Sequence, residues 1–225
     1  MFQIVIENKE TASFSTLTEA VEVLRANAAV ASVVGMEESL LAFLAAKFLA
    51  EKGGKLLVVM PTGRDAERVF ENARFFLGEE ESVDDNGRVY LLPTSDAAPG
   101  DHRGPSLAIQ ARRIDALWAL SLSQKSCLAI TSAPAIMQRV MPGQILADCA
   151  FEIQPGNDLD REELVRRLDR MGYARVSLVE ERGEYSVRGG ILDLFPPSYH
   201  KPVRLEFLGE LVESIRHFHQ ETQRS

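Results

Sequence analysis

The sequence predicts an α/β protein, a doubly wound parallel sheet followed by a small α+β domain built on an antiparallel sheet. Three observations carry this. Short apolar runs of strand length alternate with helix-length segments over residues 30–140, the pattern of parallel strands joined by crossover helices. The run at 55–60, KLLVVM, has no polar alternation, which suits a parallel strand covered on both faces. Over residues 187–195 and 203–208 the apolar residues recur at near-alternate positions, broken by Gly189-Gly190, Pro196-Pro197 and Gly209. The change of pattern places a boundary near residue 148 and divides the chain into domains 1–148 and 149–225.

The elements follow in order. Residues 15–28 read as a helix that Ser15 caps, with Leu17, Val21 and Leu24 on one stripe. Residues 30–34 form a short buried strand ending at Gly35, and 37–52 a long Ala- and Leu-rich helix closed by Gly53-Gly54. After strand 55–60, Pro61-Thr62-Gly63 turns the chain into a helix at 65–77. The acidic stretch 79–85, EEESVDD, is a solvated loop; its adjacent carboxylates lack the spacing and turn glycine of a cation cage. Strand 88–92, a loop at 93–105, helix 106–122 and strand 127–131 come next, and a short helix at 133–140 is stopped by Pro142-Gly143. In the second domain a strand begins at Phe151. Asp160 and Glu163 make a capping pair for helix 161–171, with Leu164, Leu168 and Met171 on its buried face and Gly172 at its end. Strands at 187–195 and 203–208 follow.

Composition narrows the function. Of the 225 residues, 45% are hydrophobic and 26% charged, ordinary for a globular chain able to bury a sizeable core. A net charge of −8 argues against a broad nucleic-acid surface, which needs clustered Lys and Arg. Cys127 and Cys149 sit among apolar residues and are expected as small core side chains. The N-terminus has no basic region followed by an apolar core. The longest apolar run, 40–49, is interrupted by Lys47 and too short to cross a bilayer, so no membrane partner and a cytoplasmic location are expected.

Catalytic chemistry is poorly supported. A phosphate loop needs several glycines, a lysine and a hydroxyl. The first strand-to-helix turn, residues 33–39, keeps only Gly35 and carries Glu37-Glu38, which suit a helix dipole and would repel a triphosphate. Residues 61–65, PTGRD, lack the second glycine and the lysine, and read more simply as a turn. His102 beside Asp101 reads as a solvated loop histidine. His200, His217 and His219 lie in the strand region, and no third ligand completes a metal site there.

Binding chemistry is better supported. Arg188 and Arg204 sit inside apolar strand runs. The two glycines after Arg188 leave its guanidinium approachable. Alternation places Arg204, Glu206 and Leu208 on one face and Leu205 and Phe207 on the other. If the second face is buried, the first displays an arginine, a carboxylate and a leucine side by side, the composition of an interface core. The competing expectation is that both arginines pair with Glu184 or Glu206 on the sheet surface. An interface role predicts that either can be removed with the melting temperature nearly unchanged.

The ordered segments RGEYSVRGGILDLFP, VRLEFLGELVESIRHF and TQRS resemble the N-terminal, UvrB-like module of bacterial transcription-repair coupling factors, closely over the last third of the chain and loosely before it. The related excision-repair subunit UvrB has an intact ATP loop at the first turn and a long aromatic DNA-gripping hairpin after a later strand. Here the turn is degenerate and residues 93–105 hold no aromatic, so the coupling factor is the better match; a UvrB-type nucleotide- and DNA-binding subunit is the alternative. The resemblance implies a UvrB-like degenerate sheet domain without a cofactor, and a strand domain that recruits UvrA through Arg188 and Arg204. Leu208 stands at the family's aromatic contact position, with Glu206 beside it. It also implies that the chain is a fragment. The whole protein would be an ATP- and magnesium-dependent DNA translocase that meets RNA polymerase and double-stranded DNA through other domains, with another part of the protein able to cover the UvrA-binding face.

Overall fold

The computed structural model describes residues 2–6, 11–14, 31–34, 36–79, 87–97, 104–220 and 222–223. The helix expected at 15–28, Gly35, most of the acidic loop and the Asp101–His102 pair lie outside the described residues. The chain divides into two compact units. One gathers Met1–Glu81, Gly87–Ala98 and Asp115–Arg139; the other gathers Val140–Ser225 with Pro99–Ile114.

The first unit contains the expected parallel sheet. Strands β1 (Phe2–Ile6), β2 (Thr11–Phe14) and β3 (Ala31–Val34) precede helix α1 (Glu38–Lys52), strand β4 (Lys55–Met60), helix α2 (Gly63–Phe76), strand β5 (Val89–Leu92), helix α3 (Leu107–Ser121), strand β6 (Cys127–Ser132) and the short helix α4 (Ala133–Ile136). β6 lies between β4 and β5 and is parallel to both. It is buried at every position, as a central strand covered on both faces must be. Leu128 and Ile130 enter a core with Ala42 and Leu49 of α1 and Val69 and Ala73 of α2. On the other face the Cys127 thiol donates to the Ala119 carbonyl of α3 at 3.5 Å, and burial raises its pKa. Thr62 caps α2, its hydroxyl accepting from the Asp65 amide at 3.2 Å, so PTGRD is the strand-to-helix turn it resembled.

Four expectations for these elements are corrected. β4 is an outer strand of the parallel sheet, and Leu57 and Val59 on its second face remain 46% exposed. β3 does not extend the parallel sheet. Its backbone pairs antiparallel with β1 in a separate sheet of order β2-β1-β3, because the N-terminal segment is itself a strand and takes those hydrogen bonds. Pro142 does not end a helix but starts α5 (Gly143–Cys149), a position where a missing N–H costs nothing. Cys149, at the end of α5, is exposed rather than a core residue.

The second unit holds helix α6 (Arg161–Arg170) and strands β7 (Ala174–Arg175), β8 (Glu184–Arg188), β9 (Ile191–Leu194), β10 (Val203–Leu208) and β11 (Leu211–His217), in sheet order β11-β10-β9-β8-β7. All pairs are antiparallel except β7–β8. The expected strand at Phe151 is irregular. Phe151 and Ile153 pack on the core, but Pro155 has no N–H to give a ladder, and the segment meets β11 through an isolated bridge from Asp158 to Leu211 and a bond from the Gly156 amide to the Val212 carbonyl at 2.8 Å. Asp160 caps α6, its Oδ1 accepting from the amides of Glu162 and Glu163 at 2.8 and 3.3 Å. Glu163 does not complete the reciprocal cap; Arg166 and Arg170 both hold its carboxylate at 2.9 Å. Leu164 and Leu168 of α6 pack on Tyr185, Leu192, Leu194, Val203, Leu205, Phe207 and Val212, which fixes one face of the sheet as core.

Candidate functional site

Burying that face sets the alternate residues on the opposite one, part covered and part exposed, and the register assembles it. Ser186, Asp193, Arg204 and Arg216 stand opposite one another across β8, β9, β10 and β11, forming one rung. Arg188, Ile191, Glu206 and Ser214 form the next. The alternation expected in β10 is observed: Val203, Leu205 and Phe207 are buried while Arg204, Glu206 and Leu208 face the other way.

Two diagonal ion pairs tie the rungs together. Arg188 donates from Nη2 to Asp193 Oδ2 at 2.6 Å, and Arg216 donates from Nη2 to Glu206 Oε1. Along the first rung Arg204 grips Asp193 with two bonds, Nε to Oδ1 at 2.7 Å and Nη2 to Oδ2 at 2.9 Å. Such a bidentate, charge-assisted pair is among the stronger hydrogen-bonding arrangements a protein makes. Donating to Asp193 raises the Arg204 pKa further above its already basic value. The Ser214 hydroxyl, then the Arg216 guanidinium, hold the Glu206 carboxyl below the usual range.

The two arginines are therefore not equivalent, and neither pairs with Glu184 or Glu206. Asp193, only 1% exposed, is the partner of both. Arg204 keeps 13% of its side-chain surface, with its guanidinium 4.7 Å from the Phe218 ring centroid and Nη1 donating to the Gln223 carbonyl at 3.2 Å. The expectation that Arg204 is freely presented is corrected, because the segment after β11 lies against it. Arg188 keeps 47% of its surface and, among the described residues, uses one donor. Leu208 is 69% exposed at the end of β10. The triad of Arg188, Arg204 and Asp193 carries one uncompensated positive charge, and Glu206 with Arg216 is neutral. The surface is a polar strip with two half-exposed guanidiniums, Arg188 carrying the excess charge and Arg216 neutralised by Glu206, and an apolar residue at its end.

The hairpin that presents Arg188 requires both of its glycines. Arg188 ends β8 rather than beginning a longer strand, and Gly189-Gly190 form the two-residue turn into β9. Gly189 has φ +59°, a conformation that L side chains rarely adopt. Gly190 lies so close to β10 that a Cβ would stand 2.8 Å from the Phe207 carbonyl oxygen. Arg161 of α6 closes the turn from outside by donating to the Gly189 carbonyl.

Elsewhere the expected candidates do not converge. At the start of α1 the Glu38 carboxylate is 3.5 Å from Arg68 of α2, and Glu37 occupies the cap position without a side-chain bond. His217 stacks at a tilt 6.1 Å from Tyr199. Among the described residues no three His, Cys, Asp or Glu side chains come together as a metal group, and no helix is long and apolar enough to cross a membrane.

Comparison with known proteins matches this unit to a family profile and most of the chain to full-length relatives. The family profile described as the UvrB interaction domain matches residues 151–225. The transcription-repair-coupling factor of Myxococcus xanthus is 39% identical over 160 residues, covering 71% of this chain and 13% of the relative. That of Escherichia coli K12 is 31% identical over 184 residues, 82% of this chain and 15% of the relative. That of Mycobacterium bovis is 32% identical over 188 residues, 81% and 14%. The chain thus spans 13–15% of the length of these relatives.

Proposed function

We propose, on the premise that the chain belongs with the transcription-repair-coupling factors and carries a UvrB interaction domain at residues 151–225, that its second unit is a non-catalytic docking platform that recruits UvrA. The observation that carries this reading is the strip of β8 to β11. Its charges satisfy one another except for a half-exposed Arg188, on the unit that matches the interaction domain. A carboxylate on UvrA supplies the missing negative charge. Glu206 with Arg216 forms a polar rim, and Leu208 adds an apolar contact at the end of β10. Arg204 contributes mainly by supporting this arrangement.

The first unit serves as scaffold without a nucleotide. The Glu37-Glu38 carboxylates at the start of α1, one of them facing Arg68, favour a helix start that needs no phosphate. For the whole protein the reading is an ATP-dependent DNA translocase that displaces RNA polymerase stalled at DNA damage and delivers excision-repair proteins. ATP, magnesium, double-stranded DNA and the polymerase would engage parts outside this chain.

Calorimetric titration of the chain with purified UvrA tests the platform, with wild type and Arg188→Ala in parallel. Wild type binds, and the variant binds roughly tenfold or more weakly. A folded wild type that does not bind, or an Arg188→Ala variant that binds as well as wild type, overturns the reading. ATP with magnesium leaves the melting temperature unchanged; a clear rise would favour a UvrB-type nucleotide binder instead.

A further inference from the structure

We propose that Asp193 is the positioning residue of this docking face, an inference that rests on the UvrA-docking reading above. Asp193 occupies the central strand of five, between two strands that each carry an arginine. Its side chain is 1% exposed, so an incoming protein does not reach it directly. It acts through Arg188.

The chain of contacts runs one way. Arg204 stands directly opposite Asp193 and holds both carboxylate oxygens, at 2.7 and 2.9 Å. Arg204 is itself fixed by the Phe218 ring and the Gln223 carbonyl, which use its flat face and its remaining edge. The carboxylate therefore has one orientation. In that orientation Oδ2 accepts from Arg188 Nη2 at 2.6 Å. An arginine at a strand end otherwise loses much of its rotamer freedom when a partner immobilises it. Tethering one corner of its planar fork to a fixed buried oxygen removes much of that freedom before UvrA arrives, and preorganisation of this kind appears as affinity. The fork shape matters. One N–H of Nη2 holds Asp193 while the neighbouring edge of the planar fork, Nη1 with the second N–H of Nη2, is left for a carboxylate on UvrA, which a lysine ammonium cannot reproduce in the plane.

The test is a double-mutant cycle on the 225-residue chain, titrated with purified UvrA. The variants are Arg188→Ala, Asp193→Asn and the two combined, each checked for folding by circular dichroism. Asp193→Asn weakens UvrA binding roughly tenfold, and the double variant binds within about twofold of Arg188→Ala alone, because both substitutions disable the same guanidinium. Losses that multiply, or Asp193→Asn binding like wild type, overturn the positioning role while leaving the docking reading intact. If Arg188→Ala itself loses nothing, the docking reading fails and this inference with it. Should Asp193→Asn fail to fold, Arg188→Lys decides. It keeps the charge at a half-exposed site, and weakened binding supports the fork argument whereas wild-type affinity overturns it.

Discussion

Replacing Arg204 with alanine separates a structural arginine from a presented one. Asp193 receives three guanidinium bonds, two of them from Arg204. Removing one partner of a buried ion pair costs about 3–5 kcal/mol, because a carboxylate is left without compensation. The remaining bond from Arg188 puts the loss here near the lower end of that range. The stacking on Phe218 and the bond to the Gln223 carbonyl add about 1 kcal/mol or less each, for a total near 4 kcal/mol. Arg188→Ala removes one bond from a side chain that is 47% exposed, leaves Asp193 gripped by Arg204, and costs about 1 kcal/mol. Urea unfolding of the two variants, followed by far-UV circular dichroism, reads the difference directly. The assignment predicts a large stability loss for Arg204→Ala and a small one for Arg188→Ala. Equal losses, or an Arg204→Ala variant within about 1 kcal/mol of wild type, would refute it. The same numbers set a rule for binding experiments: lost UvrA affinity in Arg204→Ala says nothing about contact until the fold has been checked.

Gly190→Ala forces a Cβ to within 2.8 Å of the Phe207 carbonyl and should cost about 1–3 kcal/mol in the same urea assay; wild-type stability would mean that β9 and β10 separate freely there. Tyr185 donates to Asp169 at 2.7 Å, and burial followed by that bond pushes its pKa up to about 12. Folding thus favours the protonated phenol, so this stability is fully present below the ordinary tyrosine value near 10 and is lost as pH rises through about 12. A spectrophotometric titration should show late ionisation that Tyr185→Phe removes; Tyr90, held up to about 12 mainly by burial, titrates late in both proteins. At Leu208, 69% exposed, Phe should leave stability within about 0.5 kcal/mol and UvrA affinity equal or tighter, while Asp should weaken binding. If both bind like wild type, that end of β10 lies outside the interface.

The second unit was legible in the sequence where burial leaves no choice. The alternation in 203–208 could be assigned to faces because a shift of one residue would have turned Leu205 and Phe207 away from Leu164 and Leu168. Asp160 was identifiable as a cap because an acidic side chain before a helical stripe has an amide to accept from. The errors fall where local pattern is silent about pairing. Residues 30–34 do contain a strand, but whether it joins a parallel sheet or a hairpin depends on what else competes for its backbone. The competitor, β1, lies in an N-terminal segment read only for a leader signal. Pro142-Gly143 reads as a stop because the same two residues can follow one helix or begin the next.

The site was legible in part for a related reason. A charge inside an apolar strand run stands out, so Arg188 and Arg204 were found. Asp193 follows the same logic, an acidic residue in the run ILDLF on the strand between them, yet it was missed because a single carboxylate on an alternating strand also suits a solvated face. What distinguishes it is the strand order. Placing β9 between β8 and β10 sets Asp193 against Arg204 and diagonal to Arg188, and two cations converging on one buried anion make all three interdependent. The surface excess of one positive charge is consequently a property of the sheet rather than of either arginine. That is why, on the docking reading, a substitution at the buried aspartate is expected to change binding as much as one at Arg188.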